Sequence, residues 1–183
     1  RRRRDQALLD LLDRVAAPGA TVVDLGAGSG FLTLHLARSA RRVVAVDASR
    51  DMLTQLDAAA IRLEVAPRVV TVLAPVDGTG LPPGEADLVC ASGLLHEVAD
   101  PDAVLGEAWR LLRPGGALVL RDFASRRWWV FTRVTHVRGA HGPLGAAEIG
   151  RRLAAVGFAV QALQGDGSRW IAHAIRPAIP TGA

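Results

Sequence analysis

The sequence predicts an α/β fold: a doubly wound, mostly parallel seven-stranded sheet with a C-terminal antiparallel hairpin and helices on both faces. Three observations predict it. Short apolar runs alternate with segments of helical period, the pattern of strands covered on both faces by crossover helices. A three-glycine turn follows the first run and an acid closes the second, which places a ligand crevice at the carboxyl edge of the sheet. The last two runs are separated by Gly165-Asp166-Gly167, a turn that makes one strand run against its neighbour.

The elements follow in order. Leu8, Leu11, Leu12, Val15 and Ala16 keep helical spacing, with Asp10, Asp13 and Arg14 opposite, until Pro18-Gly19 ends the helix. Thr21–Leu25 is a short continuous strand. Phe31, Leu32, Leu34 and Leu36 belong to the helix after the glycines, and Val43–Val46 is the second strand. Ser49 caps a helix carrying Met52, Leu53, Leu56 and Ala60. Val69–Leu73 and Asp87–Cys90 are the third and fourth strands. Asp100-Pro101 starts a helix whose inner face is Val104, Ala108, Leu111 and Leu112. Pro114-Gly115-Gly116 stops it before the fifth strand, Ala117–Leu120. A helix over Leu144–Val156 ends at Gly157, and Phe158–Leu163 and Arg169–Ile175 form the terminal pair.

The 183 residues are half hydrophobic, enough for one domain with a substantial core, taken as residues 1–176 with 177–183 as a disordered tail. No apolar run approaches the roughly eighteen residues of a membrane span, and no signal peptide core is visible. The single cysteine, Cys90, excludes an internal disulfide and fits the cytoplasm; it reads as a buried structural thiol. All 22 basic residues are arginine, yet the formal net charge is only +4, so Arg1–Arg4 reads as a solvated terminus.

The glycine turn discriminates among cofactors. A dinucleotide fingerprint needs a third glycine where Phe31 stands. Here the pattern is Asp24-x-Gly26-x-Gly28-x-Gly30, which resembles the first motif of the class I S-adenosylmethionine-dependent methyltransferases. The physics fits. A Cβ at position 26, 28 or 30 would obstruct the methionine portion or force an unfavourable φ. The helix starting near Ser29 aims free N–H groups at a carboxylate. Asp24 can hold the ammonium, directly or through water, and Asp47 can take both hydroxyls of a ribose.

The resemblance runs from about Val22 to Asp122 and more weakly to Ile175. It implies a Rossmann-like methyltransferase fold, S-adenosylmethionine as cofactor and S-adenosylhomocysteine as product. It assigns Asp47 and Ala48 to the ribose side and Met52 to the adenine face. Asp77-Gly78 resembles the segment that meets the adenine amino group and a ring nitrogen, although Val76 and Gly80 depart from the family pattern. Gly26, Ala27, Gly28, Gly30, Ala91 and Ser92 complete the cofactor set. Leu111-Leu112-Arg113-Pro114-Gly115-Gly116 closely resembles the turn into the family's fifth strand.

Methyl transfer from a sulfonium needs alignment and sometimes a base. His96, after the fourth strand, is the candidate base; the alternative is a histidine packed in the loop beside the cofactor. Phe123–Pro143 is the candidate acceptor wall. Trp128, Trp129, Phe131 and Arg133 either stack on and hold an acceptor or cap the sheet edge. The spacing of His136 and His141 suits no metal pair, so no metal is expected. Only 21 residues precede Val22, so the N-terminal lid of many small-molecule relatives is either absent or outside this chain. Three readings compete: a small-molecule methyltransferase, an RNA methyltransferase, and a non-catalytic cofactor-binding partner subunit. The Asn/Asp-Pro-Pro-Tyr/Phe/Trp motif of base-amine methylation is replaced by Ala91-Ser92-Gly93-Leu94, which favours the first.

Overall fold

A computed structural model describes the backbone of residues 2–124 and 141–178, with side chains from Asp5 onward. The chain runs α1 (Arg2–Val15), β1 (Thr21–Leu25), α2 (Phe31–Leu36), β2 (Arg42–Asp47), α3 (Arg50–Arg62) and a 3₁₀ turn at Ala66–Arg68. It continues with β3 (Val69–Leu73), β4 (Ala86–Ser92), α4 (Pro101–Leu111), β5 (Leu112–Phe123), α5 (Ala146–Val156), β6 (Ala159–Gly165) and β7 (Arg169–Ile175). The seven strands lie in the order β3-β2-β1-β4-β5-β7-β6. Pairing is parallel throughout except that β7 runs against both β5 and β6.

Each sheet face is buried by its own helices. Leu8 and Leu12 of α1 and Leu32 and Leu36 of α2 meet Val22, Val43, Leu88 and Val119. On the other face Val104, Leu105, Leu111, Ile149 and Leu153 of α4 and α5 cover Val23, Val46, Val89, Leu118 and Trp170. The strand residues alternate between the two clusters, as the pleat requires. Trp170 is fully buried, and its indole N–H donates to the Leu144 carbonyl at 2.7 Å.

Two predicted helix starts hold as capping chemistry. Ser49 Oγ accepts from the Met52 amide, and Asp100 Oδ1 accepts from the amides of Asp102 and Ala103 ahead of Pro101. The C-terminal helix begins at Ala146, two residues later than the spacing predicts. Pro114-Gly115-Gly116 is not a helix stop outside the sheet: α4 ends at Leu111 and these residues already belong to β5. Ala86 pairs with Leu112 while Leu88 pairs with Ala117, so β5 bulges there. A Cβ on Gly116 would sit 2.9 Å from the Arg113 carbonyl oxygen and 3.1 Å from that of Ala86. The bulge is tied to β7 by the Gly115 amide, which donates to the Arg176 carbonyl. No helix among the described residues is long and apolar enough to cross a membrane.

Candidate active site

Strand order reverses at β1, which has β2 on one side and β4 on the other, so the crevice predicted for such sheets opens above its carboxyl end. The glycine turn crosses that opening. The amides of Gly26 and Ala27 both donate to the Val46 carbonyl, pinning the turn to β2. Gly26, Gly28 and Gly30 have φ of 67°, 54° and 97°, values that favour glycine at all three. Steric reasons differ between them. A Cβ at 26 would lie 2.8 Å from Leu94 and one at 30 would lie 2.9 Å from Leu56, whereas at 28 it would meet open space. Gly26 and Gly30 are thus required by packing as well as by φ, whereas Gly28 has open space before it.

Asp47 sits half-buried at the tip of β2. Its Oδ2 accepts from the Gly28 amide and its Oδ1 from the Ser49 amide, both at 2.8 Å. A carboxylate has about four lone-pair positions, so two remain for a vicinal diol. The chain leaving β3 is held beside it, the Ala74 amide donating to the Asp47 carbonyl. Ala48 and Met52 are exposed on the same edge, as are Asp77 and Gly78 in the following loop. Sequence reading missed what anchors that loop. Thr79 is buried, and its amide and hydroxyl both donate to Glu107 Oε1 on α4, at 3.0 and 2.5 Å. Arg110 grips the same carboxylate with two bonds of 2.7 Å, and this pairing leads the effects that bring the Glu107 carboxyl down to about 2. An acid on the covered face of α4, among Val104, Ala108 and Leu111, was the available signal.

Asp24 is buried on β1. Its Oδ2 accepts from the Thr33 hydroxyl at 2.6 Å, and Cys90, its neighbour across the β1–β4 ladder, brings a thiol to 3.7 Å from Oδ1. Burial is the main cause that raises its carboxyl to about 6. Burial, with the Asp24 charge, also pushes the Cys90 thiol well up, and the thiol is fully buried as expected. Asp24, Gly26, Ala27, Phe31, Leu32, Ser92 and Arg121 line a crevice of about 160 Å³. Four of these were expected from sequence; Arg121 was not. Ala91 is buried behind Ser92 at the end of β4.

His96 follows β4 and is buried. Its Nδ1 bonds Asp122 Oδ1 at 2.7 Å, its own amide donates to Asp122 Oδ2 at 3.2 Å, and its ring packs edge-to-face on Phe123 with centroids 5.0 Å apart. Burial pushes the imidazole down, but the hydrogen bond and charge of Asp122, with Glu97 at 3.5 Å from Nε2, outweigh it and leave the group raised. Asp122 escaped the sequence reading because the fifth strand was ended at Leu120. The His141 and Gly142 amides donate to the Val98 and His96 carbonyls, closing this loop from outside. Trp128, Trp129, Phe131, Arg133 and His136 lie outside the described residues. Among the described residues no three metal-ligating side chains cluster.

The crevice suits a donor with an amino-acid end and a ribose. Asp24 lines it with Gly26 and Ala27, and the same glycine turn, through the Gly28 amide, holds the Asp47 carboxylate with spare lone pairs. Comparison with known proteins agrees. The family described as "Methyltransferase domain" matches residues 23–120, just over half of the chain. A ubiquinone biosynthesis O-methyltransferase of Xanthomonas campestris is 36% identical over 109 residues, covering 58% of this chain and 44% of that protein. An uncharacterized methyltransferase of Synechocystis is 34% identical over 125 residues, 67% of this chain and 56% of the relative. The matched region therefore spans about half the length of these relatives. Among solved structures, a SAM-dependent methyltransferase from Aquifex aeolicus superposes with a TM-score of 0.74 at 21% identity, covering 92% of this chain and 89% of that one. A geranyl diphosphate methyltransferase bound to SAM gives 0.79 at 18%, covering 94% and 84%. Fold, glycine turn and family match converge: the chain belongs to the class I S-adenosylmethionine-dependent methyltransferases.

Proposed function

We propose that this chain transfers a methyl group from S-adenosylmethionine to an oxygen, nitrogen or carbon nucleophile of a small-molecule acceptor, in the cytoplasm, as a single domain over residues 1–176. The observation that carries the reading is the buried His96–Asp122 pair at the ends of β4 and β5, on the same edge as the donor crevice. When bound, the donor supplies a methyl group already activated on a cationic sulfur. The protein's part is to orient and to hold a proton. Asp47 and the Gly28 turn fix the sugar side, and Asp24 faces the ammonium. With Nδ1–H donated to Asp122, Nε2, which lies 3.5 Å from Glu97, is the ring atom that takes the proton of an attacking hydroxyl or amine. Both side chains are buried, which fixes the orientation of the imidazole.

The small-molecule reading is supported by relatives named for ubiquinone biosynthesis and by a structural neighbour named for geranyl diphosphate. The test is transfer of labelled methyl from S-adenosylmethionine into a cell extract separated into small molecules, RNA and protein. Label in the first fraction is expected. Label only in RNA would move the acceptor to nucleic acid. No transfer alongside tight donor binding would make the chain a cofactor-binding partner subunit.

A further inference from the structure

Arg121 is the charged residue of the donor crevice that the family resemblance does not assign. It stands on β5 in register with Ser92 on β4, and its Nε donates to Ser92 Oγ at 2.9 Å. Its Nη1 pairs with Asp5 of α1 at 2.5 Å, and its guanidinium lies over the Phe31 ring at 5.4 Å. Only 17% of the side chain is exposed. Three fixed contacts thus hold the guanidinium in one place. Of its five N–H donors, those contacts occupy two.

The small crevice therefore has an acid in its wall, Asp24, and a base, Arg121. That charge pattern matches an α-amino acid zwitterion. The glycine turn leads into α2, but that helix is only six residues long, and its dipole is correspondingly slight. A full positive charge for a carboxylate comes from a side chain, and among the described residues Arg121 is the cation lining the crevice. We propose that Arg121 receives the α-carboxylate of the donor's amino-acid end, while Asp24 faces its ammonium. This rests on the crevice being the donor site. Arg121 also borders a second cavity of about 290 Å³, lined by Ala7, Gln164, Arg169 and Ile171 among others. Arg121 is thus shared by the linings of both spaces.

The test is calorimetry with S-adenosylmethionine and its decarboxylated analogue, on wild type and Arg121→Gln. A charge-assisted hydrogen bond is worth roughly 10- to 100-fold in affinity. Wild type is expected to prefer the intact donor by that factor. Arg121→Gln should lose the preference, with the analogue's affinity changed less than about threefold. Arg121→Lys, which keeps the charge and loses the fork, should fall between. Equal losses for both ligands would make Arg121 a structural residue and overturn the proposal. So would an unchanged preference, which would assign Arg121 to the second cavity. If Arg121→Gln fails to fold, the wild-type comparison with Arg121→Lys still decides: no preference for the carboxylate ends the proposal. Wild type binding neither ligand, nor S-adenosylhomocysteine, would instead refute the donor site itself.

Discussion

Replacing Asp24 by Asn removes a charge that the fold tolerates at a cost. The Asp24 carboxyl moves from 3.8 to about 6 because burial disfavours its ionised form more than Thr33 and Cys90 favour it. The folded state therefore binds a proton that the unfolded chain has already released between these values. Stability contributed by this group is present below about pH 4 and is lost as pH rises to about 6. The loss at pH 7.5 is on the order of 3 kcal/mol. Asn keeps the shape and an oxygen for the Thr33 hydroxyl, but carries no charge to bury. Urea unfolding of wild type and Asp24→Asn at pH 4, 5, 6 and 7.5 is the assay. The variant should be more stable than wild type at pH 7.5, by up to that amount, and the gap should close toward pH 4. The same variant should bind S-adenosylhomocysteine at least tenfold more weakly at pH 7.5, since an amide cannot neutralise an ammonium. A variant less stable than wild type at pH 7.5, with the wild-type profile unchanged, would refute the argument that burial dominates this site.

Other expectations concern the same edge of the sheet. Asp47→Ala should weaken donor binding by about 1–3 kcal/mol in calorimetry, because the amides of Gly28 and Ser49 lose their acceptor together with the diol. Gly28→Ala should fold at a cost of roughly 1–2 kcal/mol for its φ of 54°, yet lose donor affinity far beyond that, because its Cβ points into open space where the donor is proposed to lie. His96→Gln should lower kcat by about 10²–10⁴-fold with donor affinity unchanged. Activity should rise as pH rises through the raised His96 value, and Asp122→Asn should move that limb to lower pH by removing the group that holds the imidazole up.

How much of this was legible beforehand varies with the range of the interaction. The bounds of β1 and β7 follow from apolar runs bordered by strong turn residues, and the structure repeats them. The donor motif was equally visible, since glycine turn and acid are both local. The partners were not. Thr33 reaches Asp24 across nine positions, Thr79 reaches Glu107 across 28, and Arg121 reaches Asp5 across 116. Such pairs are set by sheet order, which periodicity does not encode. The fifth strand shows a different failure. Arg121 and Asp122 are charged, so the end of the apolar run at Leu120 marked a boundary, although the strand continues through Phe123. Polar residues at a strand's carboxyl tip belong to the site and still pair in the ladder.

The bulge at the base of β5 has a consequence at the strand's other end. Successive residues of a strand project to opposite sides, and here the last two charged ones differ in sign: Arg121 turns toward Asp5 and Ser92, Asp122 toward His96. Sliding β5 by one position would exchange them, setting a cation against the imidazole and an anion against the acidic floor. Pro114-Gly115-Gly116 absorbs its extra length at the far end of the strand, so the phase of the strand is settled there. A one-residue deletion in that stretch, if carried through the strand, would leave the hydrophobic layers fillable while exchanging the surroundings of Arg121 and Asp122.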